Sequence, residues 1–385
     1  MQMPDQTPTT DRYYRPELDA LRFLAFGCVF MFHRMDYVPV HAATNPWLFD
    51  LSTAGAFGVP VFFLLSAFLI TELFTKELAR SGRIDIPAFY ARRVLRIWPL
   101  YFFAFYGLAL LTRFLPGVGP TTVSSWLWFS LFSGNWYIVR YGWIAGPVDP
   151  LWSISVEEQF YIFIPWIVSR GSRRALFLWC GVLFASSYCA IVLYARQASK
   201  GDNGEWTNSL VHFQFFAAGT LLALGLRGRL PKIHVALRLA GVAGAFACWL
   251  YAFLWCGVKS WDAHSSVAGA IQGWLSLLVG CVVLFLSFLG TDGVYIPRWA
   301  VYLGKISYGL YVYHSLVLYL VFVKGSGRLT EVTRLLPLPQ TARNSVGTAA
   351  ALLITIVVAH LSYRFLEKPF LVLKQRFTFD LARVH

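Results

Sequence analysis

Ten apolar runs, each about 20 residues long, follow one another along this 385-residue chain and constrain its fold more than any other feature. A helix of that length crosses a bilayer, and helices satisfy their backbone hydrogen bonds internally in lipid. With 57% hydrophobic and only 14% charged residues, the chain has too much apolar surface for one soluble core. We therefore predict an all-α, multi-pass membrane bundle with spans at 17–36, 56–75, 97–114, 151–169, 174–195, 209–226, 235–257, 267–289, 302–323 and 345–366.

The distribution of basic residues predicts the topology. Of the 33 lysines and arginines, about 22 fall on the N-terminal side of a ten-span bundle and about ten on the other. Because cytoplasmic loops are enriched in these residues, we predict cytoplasmic termini and an inner-membrane location. Because the basic residues are scattered between apolar runs, we do not expect nucleic acid as a partner. We expect the protein to contact the lipid bilayer. We expect one domain over 17–370, between tails at 1–16 and 371–385.

The first apolar run carries two ionisable residues, Arg22 and His33. Eleven residues make about three helical turns, so both side chains share a face about 16 Å apart. Buried ionisable groups in a span are costly and mark a functional site by default. Two structural alternatives remain, since Asp19 can neutralise Arg22 and a lone histidine is often a core residue.

An aromatic-rich segment, 115–149, is predicted to be a long loop on the side opposite the termini. Its stretch 124–137 is broken at Gly134, which predicts an interfacial or re-entrant segment. Its aromatic residues suit either sugar stacking or a membrane-interface belt: Trp126, Trp128, Trp136, Tyr137, Tyr141 and Trp143. The six cysteines show no CxxC spacing, and we expect no metal site.

Three further patterns place polar groups at spans. Arg92, Arg93 and Arg96 precede the third span, either as phosphate clamps or as topology anchors. Two adjacent glutamates, Glu157 and Glu158, open another span, with Tyr161 one turn after Glu157. Such a glutamate suits orienting a histidine, holding a proton or pairing with an arginine, and a purely structural salt bridge to a neighbouring helix is the alternative. The last pattern is a polar stripe, whose commoner use is hydrogen bonding between helices, and it consists of Ser307, Tyr311 and His314.

Five segments in this order resemble the acyltransferase-3 family of integral membrane O-acyltransferases. They are YRPELDALR with the Arg22-x10-His33 spacing, FFLLSAFLI, Arg93-x-x-Arg96, WSISVEEQFY and ISYGLYVYH. The resemblance runs from about residue 13 to residue 370. Ala67 stands where the family often has glycine, so we expect helix packing there to differ.

The resemblance implies transfer of an acyl group, commonly acetyl, from cytoplasmic acyl-CoA to a hydroxyl of a glycan or similar acceptor at the outer face. It implies His33 as the catalytic base with Arg22 as its partner, and Glu157 as the carboxylate of the WSxSxE pattern. Arg93 and Arg96, with Arg92 beside them, are the expected contacts of the CoA phosphates. Imidazole suits proton removal at neutral pH, and either direct transfer or an acyl-histidine intermediate is compatible with these residues.

A transporter or flippase for a lipid-linked glycan is the main alternative. Buried Arg, Glu and His residues suit a substrate pathway as well as they suit acyl transfer. Such transporters are commonly built from internal repeats, and the sequence contains no convincing repeat.

Overall fold

A computed structural model describes residues 14–38, 45–115, 119–120, 122–144, 146–197, 203–259, 266–324 and 339–374. All of the elements in these ranges are helical, which confirms the all-α prediction. Residues 1–13 of the predicted tail 1–16 lie outside the described residues. So do residues 375–385 of the predicted tail 371–385.

Sixteen α-helices are described. They are α1 (Pro16–Arg34), α2 (Pro46–Ala54), α3 (Gly58–Ser81), α4 (Ile86–Leu111), α5 (Val123–Ser130), α6 (Gly134–Tyr141), α7 (Trp152–Arg170), α8 (Arg173–Gln197), α9 (Asn203–Thr207), α10 (Ser209–Leu226), α11 (Val235–Leu254), α12 (Val267–Phe288), α13 (Arg298–Lys305), α14 (Ser307–Tyr319), α15 (Gln340–Ser362) and α16 (Lys368–Lys374). A π-helical turn extends α14 over Leu320–Lys324, and another joins α15 to α16 over Tyr363–Glu367.

Seven helices in the described part of the chain are long and apolar enough to cross a membrane, and an eighth span is possible if α13 and α14 are counted together. That pair bends by 75° at its break, so the run predicted at 302–323 is not one straight helix. The other two predicted spans coincide with α1 and α7, whose charged residues reduce their apolar character. The exact count of ten remains a prediction.

Helix α1 lies among α2, α3, α12, α13 and α14. A Cβ placed on Gly304 of α13 would lie 1.8 Å from the carbonyl oxygen of Asp19, so the two backbones touch. On its other side, a Cβ on Gly55 would lie 2.3 Å from the carbonyl oxygen of Cys28, and one on Gly58 would lie 2.4 Å from that of Ala25. Small residues permit such close approach between helices in lipid. Helix α1 is therefore held by backbone contacts on both sides.

Helices α3 and α10 make a similar close contact. A Cβ on Gly219 would lie 2.3 Å from the carbonyl oxygen of Leu64 and 3.0 Å from the Cβ of Ala67. The glycine that allows this approach therefore belongs to α10. Ala67 is itself fully buried in the contact.

The aromatic segment predicted to be re-entrant forms α5 and α6, which have eight residues each and are too short to span. Gln159 of α7 fixes α6 by donating to Asn135 over 2.9 Å and accepting from the Trp136 indole over 3.1 Å. Ser209 of α10 also donates to Gln159, over 2.6 Å. This network joins the short helices to the bundle.

Candidate active site

Two histidines meet near the end of α1. His33 lies in the last turn of α1, and its Nδ1 is 3.1 Å from both the carbonyl oxygen of Val29 and the Nε2 of His314. His314 is fully buried in α14, and its Nδ1 lies 2.5 Å from the carbonyl oxygen of Tyr311. We call His33 and His314 the histidine pair.

The carbonyl groups determine which ring nitrogens carry protons when the histidine pair is neutral. Because a carbonyl oxygen only accepts, the Nδ1 of His314 carries the proton and donates to Tyr311. The Nε2 of His314 then accepts from the Nδ1 of His33, which shares its proton with the carbonyl oxygen of Val29. The remaining lone pair on the Nε2 of His33 is therefore the basic site of the pair.

Arg22 lies toward the other end of α1 and forms an ion pair with Asp19. This is the neutralisation that the three-residue spacing predicted. Arg96 of α4 and Glu157 of α7 are its further charged neighbours. Arg22 and His33 are thus on one helix, as predicted, but they have different surroundings.

Glu157 and Glu158 point in different directions. Glu157 accepts from the hydroxyl of Tyr161, which is also 2.5 Å from the hydroxyl of Ser66. Glu158 accepts from the indole of Trp98 over 3.2 Å. Of the two glutamates, Glu157 is therefore the neighbour of Arg22, whereas the histidine partner of His33 is His314.

The three arginines of α4 have different partners. Arg92 pairs with Glu77 of α3 at 3.7 Å. The guanidinium carbon of Arg93 lies 5.2 Å from the ring centroid of Tyr161, and its Nε is buried without a hydrogen-bond partner among the described residues. Arg96 is a charged neighbour of Arg22. We call Arg22, Arg93 and Arg96 the arginine cluster.

The predicted polar stripe of α14 is buried, and two of its members bond to other helices. The hydroxyl of Tyr311 lies 2.7 Å from that of Ser153 and donates to the carbonyl oxygen of Pro150 over 3.1 Å. Ser307 is 5% exposed at the start of the helix. Because His314 instead contacts His33, the stripe connects α14 to both α7 and α1.

A family model described as an acyltransferase domain matches residues 15–364. The chain belongs to this acyltransferase family. O-acetyltransferase OatA from Staphylococcus aureus strain NCTC 8325 is 26% identical to it over 385 residues, which is 92% of this chain and 57% of the relative. A putative O-acetyltransferase, SAS0844, from strain MSSA476 is 25% identical over 93% of this chain and 57% of its own length. The chain thus spans somewhat over half the length of these relatives, and no solved structure matches it.

This acyltransferase domain has an open groove of about 490 Å³ between α4, α7 and α10. Arg93, Glu158 and Tyr161 line it, together with Trp98 and Gln159. The groove thus reaches one member of the arginine cluster.

Two charged residues near these groups were missed in the sequence. Glu367 is buried in the π-helical turn after α15 and is a charged neighbour of Arg96. Lys259 follows α11, and its Nζ lies 5.5, 5.4 and 5.1 Å from the ring centroids of Phe32, Trp143 and Trp206. We call these three rings the aromatic cage. The sequence signal for both residues is only their charge.

Across the described residues, no group of three or more His, Cys, Asp or Glu side chains could hold a metal ion. None of the six cysteines, all of which lie in the described ranges, forms a disulfide.

Proposed function

We propose that this protein is a membrane O-acyltransferase that moves an acyl group from acyl-CoA to a hydroxyl of a cell-envelope or exported glycan. Acetyl-CoA is the expected donor, because the two Staphylococcus aureus relatives carry the name O-acetyltransferase. In this proposal the protein lies in the inner membrane with the arginine cluster toward the cytoplasm. The observation that carries the proposal is the histidine pair, which leaves one ring nitrogen of His33 basic on the same helix as Arg22.

The histidine pair supplies the base. The Nε2 of His33 takes the proton of the acceptor hydroxyl while the hydroxyl oxygen attacks the thioester carbonyl. The carbon–sulfur bond then breaks, and the CoA thiolate leaves with the proton from His33. His314 stabilises the imidazolium and holds the ring in one orientation. A covalent acyl-histidine step would use the same nitrogen as a nucleophile.

The arginine cluster supplies the donor site. Guanidinium groups bind phosphate oxygens through paired N–H donors, and the buried Nε of Arg93 has a free donor among the described residues. Asp19 and Glu157 offset part of the positive charge before the donor binds. The acyl arm then extends along α1 toward His33, about 16 Å from Arg22 by helical rise.

The test uses purified protein in liposomes with labelled acetyl-CoA and a glycan fraction from the cell envelope. We expect glycan-dependent release of CoA and labelled ester in the glycan, and His33→Ala should reduce turnover about 100-fold or more. His360→Ala is the matched control, because His360 is exposed and bonds Tyr302 away from the histidine pair. Full turnover in His33→Ala would refute the base. Movement of unmodified glycan across the liposome membrane without ester formation would instead support a transporter.

A further inference from the structure

The aromatic cage holds a lysine beside the histidine pair. Phe32 precedes His33 in α1, and the centroids of their rings are 5.1 Å apart. The ring centroid of Trp206, another member of the cage, lies 5.4 Å from the ring centroid of His212 of α10. Lys259 is brought to this place from the end of α11, so its ammonium lies at the same end of α1 as His33.

The backbone around Lys259 is held in a costly conformation. Lys259 has a φ of 64°, in the left-handed region that residues with a Cβ avoid. Val258 beside it is fully buried, and its N–H donates to the carbonyl oxygen of Ala252 over 3.0 Å. A Cβ on Gly273 of α12 would lie 2.5 Å from the side chain of Val258. Packing on α11 and α12 therefore fixes the turn, and such enforced strain is concentrated at functional sites.

The cage stabilises the charge without engaging the lysine donors closely. An ammonium carries three N–H donors and no acceptor. Centroid distances of 5.1 to 5.5 Å lie in the outer part of the cation–π range, so the rings of the described residues attract the charge without accepting a close hydrogen bond from the ammonium. A carbonyl oxygen that enters between Lys259 and His33 would meet these donors.

We propose that Lys259 is a second catalytic residue, whose ammonium binds the acyl carbonyl oxygen as it becomes negatively charged. The inference rests on the proposed acyl transfer. When the acceptor oxygen bonds to the carbonyl carbon, its proton passes to His33 and the π electrons move to the carbonyl oxygen. Lys259 donates a hydrogen bond to that oxygen. The electrons then re-form the carbonyl as the carbon–sulfur bond breaks, and the thiolate leaves with the proton from His33.

The charges that face Lys259 come from four elements. Asp36 follows α1 and Asp149 precedes α7, and both carboxylates favour the charged lysine. His33 and His212 are the titratable neighbours on α1 and α10. Burial lowers the pKa of Lys259 to about 8, and the two carboxylates oppose that shift only in part. Burial raises the pKa of Asp36 to about 6, so this carboxylate is ionised above about pH 7, and Lys259 titrates above that pH.

The test measures acetyl-CoA turnover in liposomes for the parent protein, Lys259→Met and Lys259→Arg across that pH range. We expect Lys259→Met to lower kcat about 100-fold with both KM values nearly unchanged, because the hydrogen bond forms only in the transition state. Parent activity should fall as pH rises through about 8, and Lys259→Arg should retain part of the activity and move that decline to higher pH. Arg140→Met is the matched control, since Arg140 lies 5.4 Å from the exposed ring of Tyr141.

Three results would overturn the role of Lys259: kcat of Lys259→Met within threefold of the parent, a rise in KM alone, or an unchanged pH decline in Lys259→Arg. A rise in acceptor KM alone would instead assign Lys259 to an anionic group of the acceptor. If Lys259→Met does not fold, the pH decline of Lys259→Arg decides. A parent protein without turnover would refute the acyl transfer itself, whereas an active parent with an active Lys259→Met refutes only this inference.

Discussion

The arginine cluster and the histidine pair each have one member on α1, Arg22 and His33, but they differ in how their polar groups are held. Around the arginine cluster, carboxylates compensate the charge, as Asp19 does for Arg22. In the histidine pair, a backbone carbonyl directs a hydrogen bond from ring to ring. Under the proposed function, one end of α1 attracts the anionic donor and the other end orients a proton acceptor. Substitutions at the two ends should therefore change different kinetic constants.

The largest effect is expected at His314. His314→Ala removes the acceptor that orients the His33 ring, so we predict a loss of about 100-fold in kcat, or about 2.7 kcal/mol, with little change in KM for acetyl-CoA. His314→Gln should recover much of this loss, because an amide oxygen can accept from the Nδ1 of His33. Steady-state kinetics of both variants in liposomes provide the measurement. Equal losses of kcat in the two variants would show that His314 contributes only through packing.

An intermediate effect is expected from Gly304→Ala, which acts through packing. Its Cβ would overlap the carbonyl oxygen of Asp19, so we predict destabilisation by about 1–3 kcal/mol and a weakened donor site. Gly27→Ala in α1 is the matched control, since a Cβ there meets nothing within 4 Å. Thermal unfolding in detergent and KM for acetyl-CoA provide the two readings. An unchanged KM for acetyl-CoA in Gly304→Ala would show that the arginine cluster does not depend on the packing of α1.

The smallest effect is expected from Arg96→Ala, which we predict to raise KM for acetyl-CoA about tenfold and to make it less sensitive to salt. Arg92→Ala is the comparison within the same helix, and its effect on KM should be smaller because Arg92 pairs with Glu77. Titration of acetyl-CoA at low and high salt measures both. Equal effects of the two substitutions would extend the donor site to all three arginines of α4.

Helical periodicity was sufficient to predict the relations within one helix. The spacing of Arg22 and His33 placed both on α1, and the steps from Ser307 to His314 placed a polar stripe on α14. Such predictions depend on local geometry alone. The start of α2 was missed, although proline at the first helical position was a signal for it at Pro46.

Contacts between distant segments could not be predicted in this way. His314 and Lys259 both lie more than 200 residues from His33, and no periodic pattern links them. The arginines of α4 have different partners because Arg92 contacts Glu77 of α3, whereas Arg93 contacts Tyr161 of α7. The left-handed turn at Lys259 depends on the packing of the neighbouring Val258 against Gly273, which is a tertiary effect.

The glycine contacts on both sides of α1 have a consequence for the size of the substrate. A helix whose backbone touches Gly304 on one side and Gly55 and Gly58 on the other has no room to slide or rotate. The distance between Arg22 and His33 is then fixed, and under the proposed function the donor itself must bridge it. With the donor phosphates bound near Arg22, an acyl carbonyl would reach His33 only if the arm that carries it is as long as the distance between these two residues.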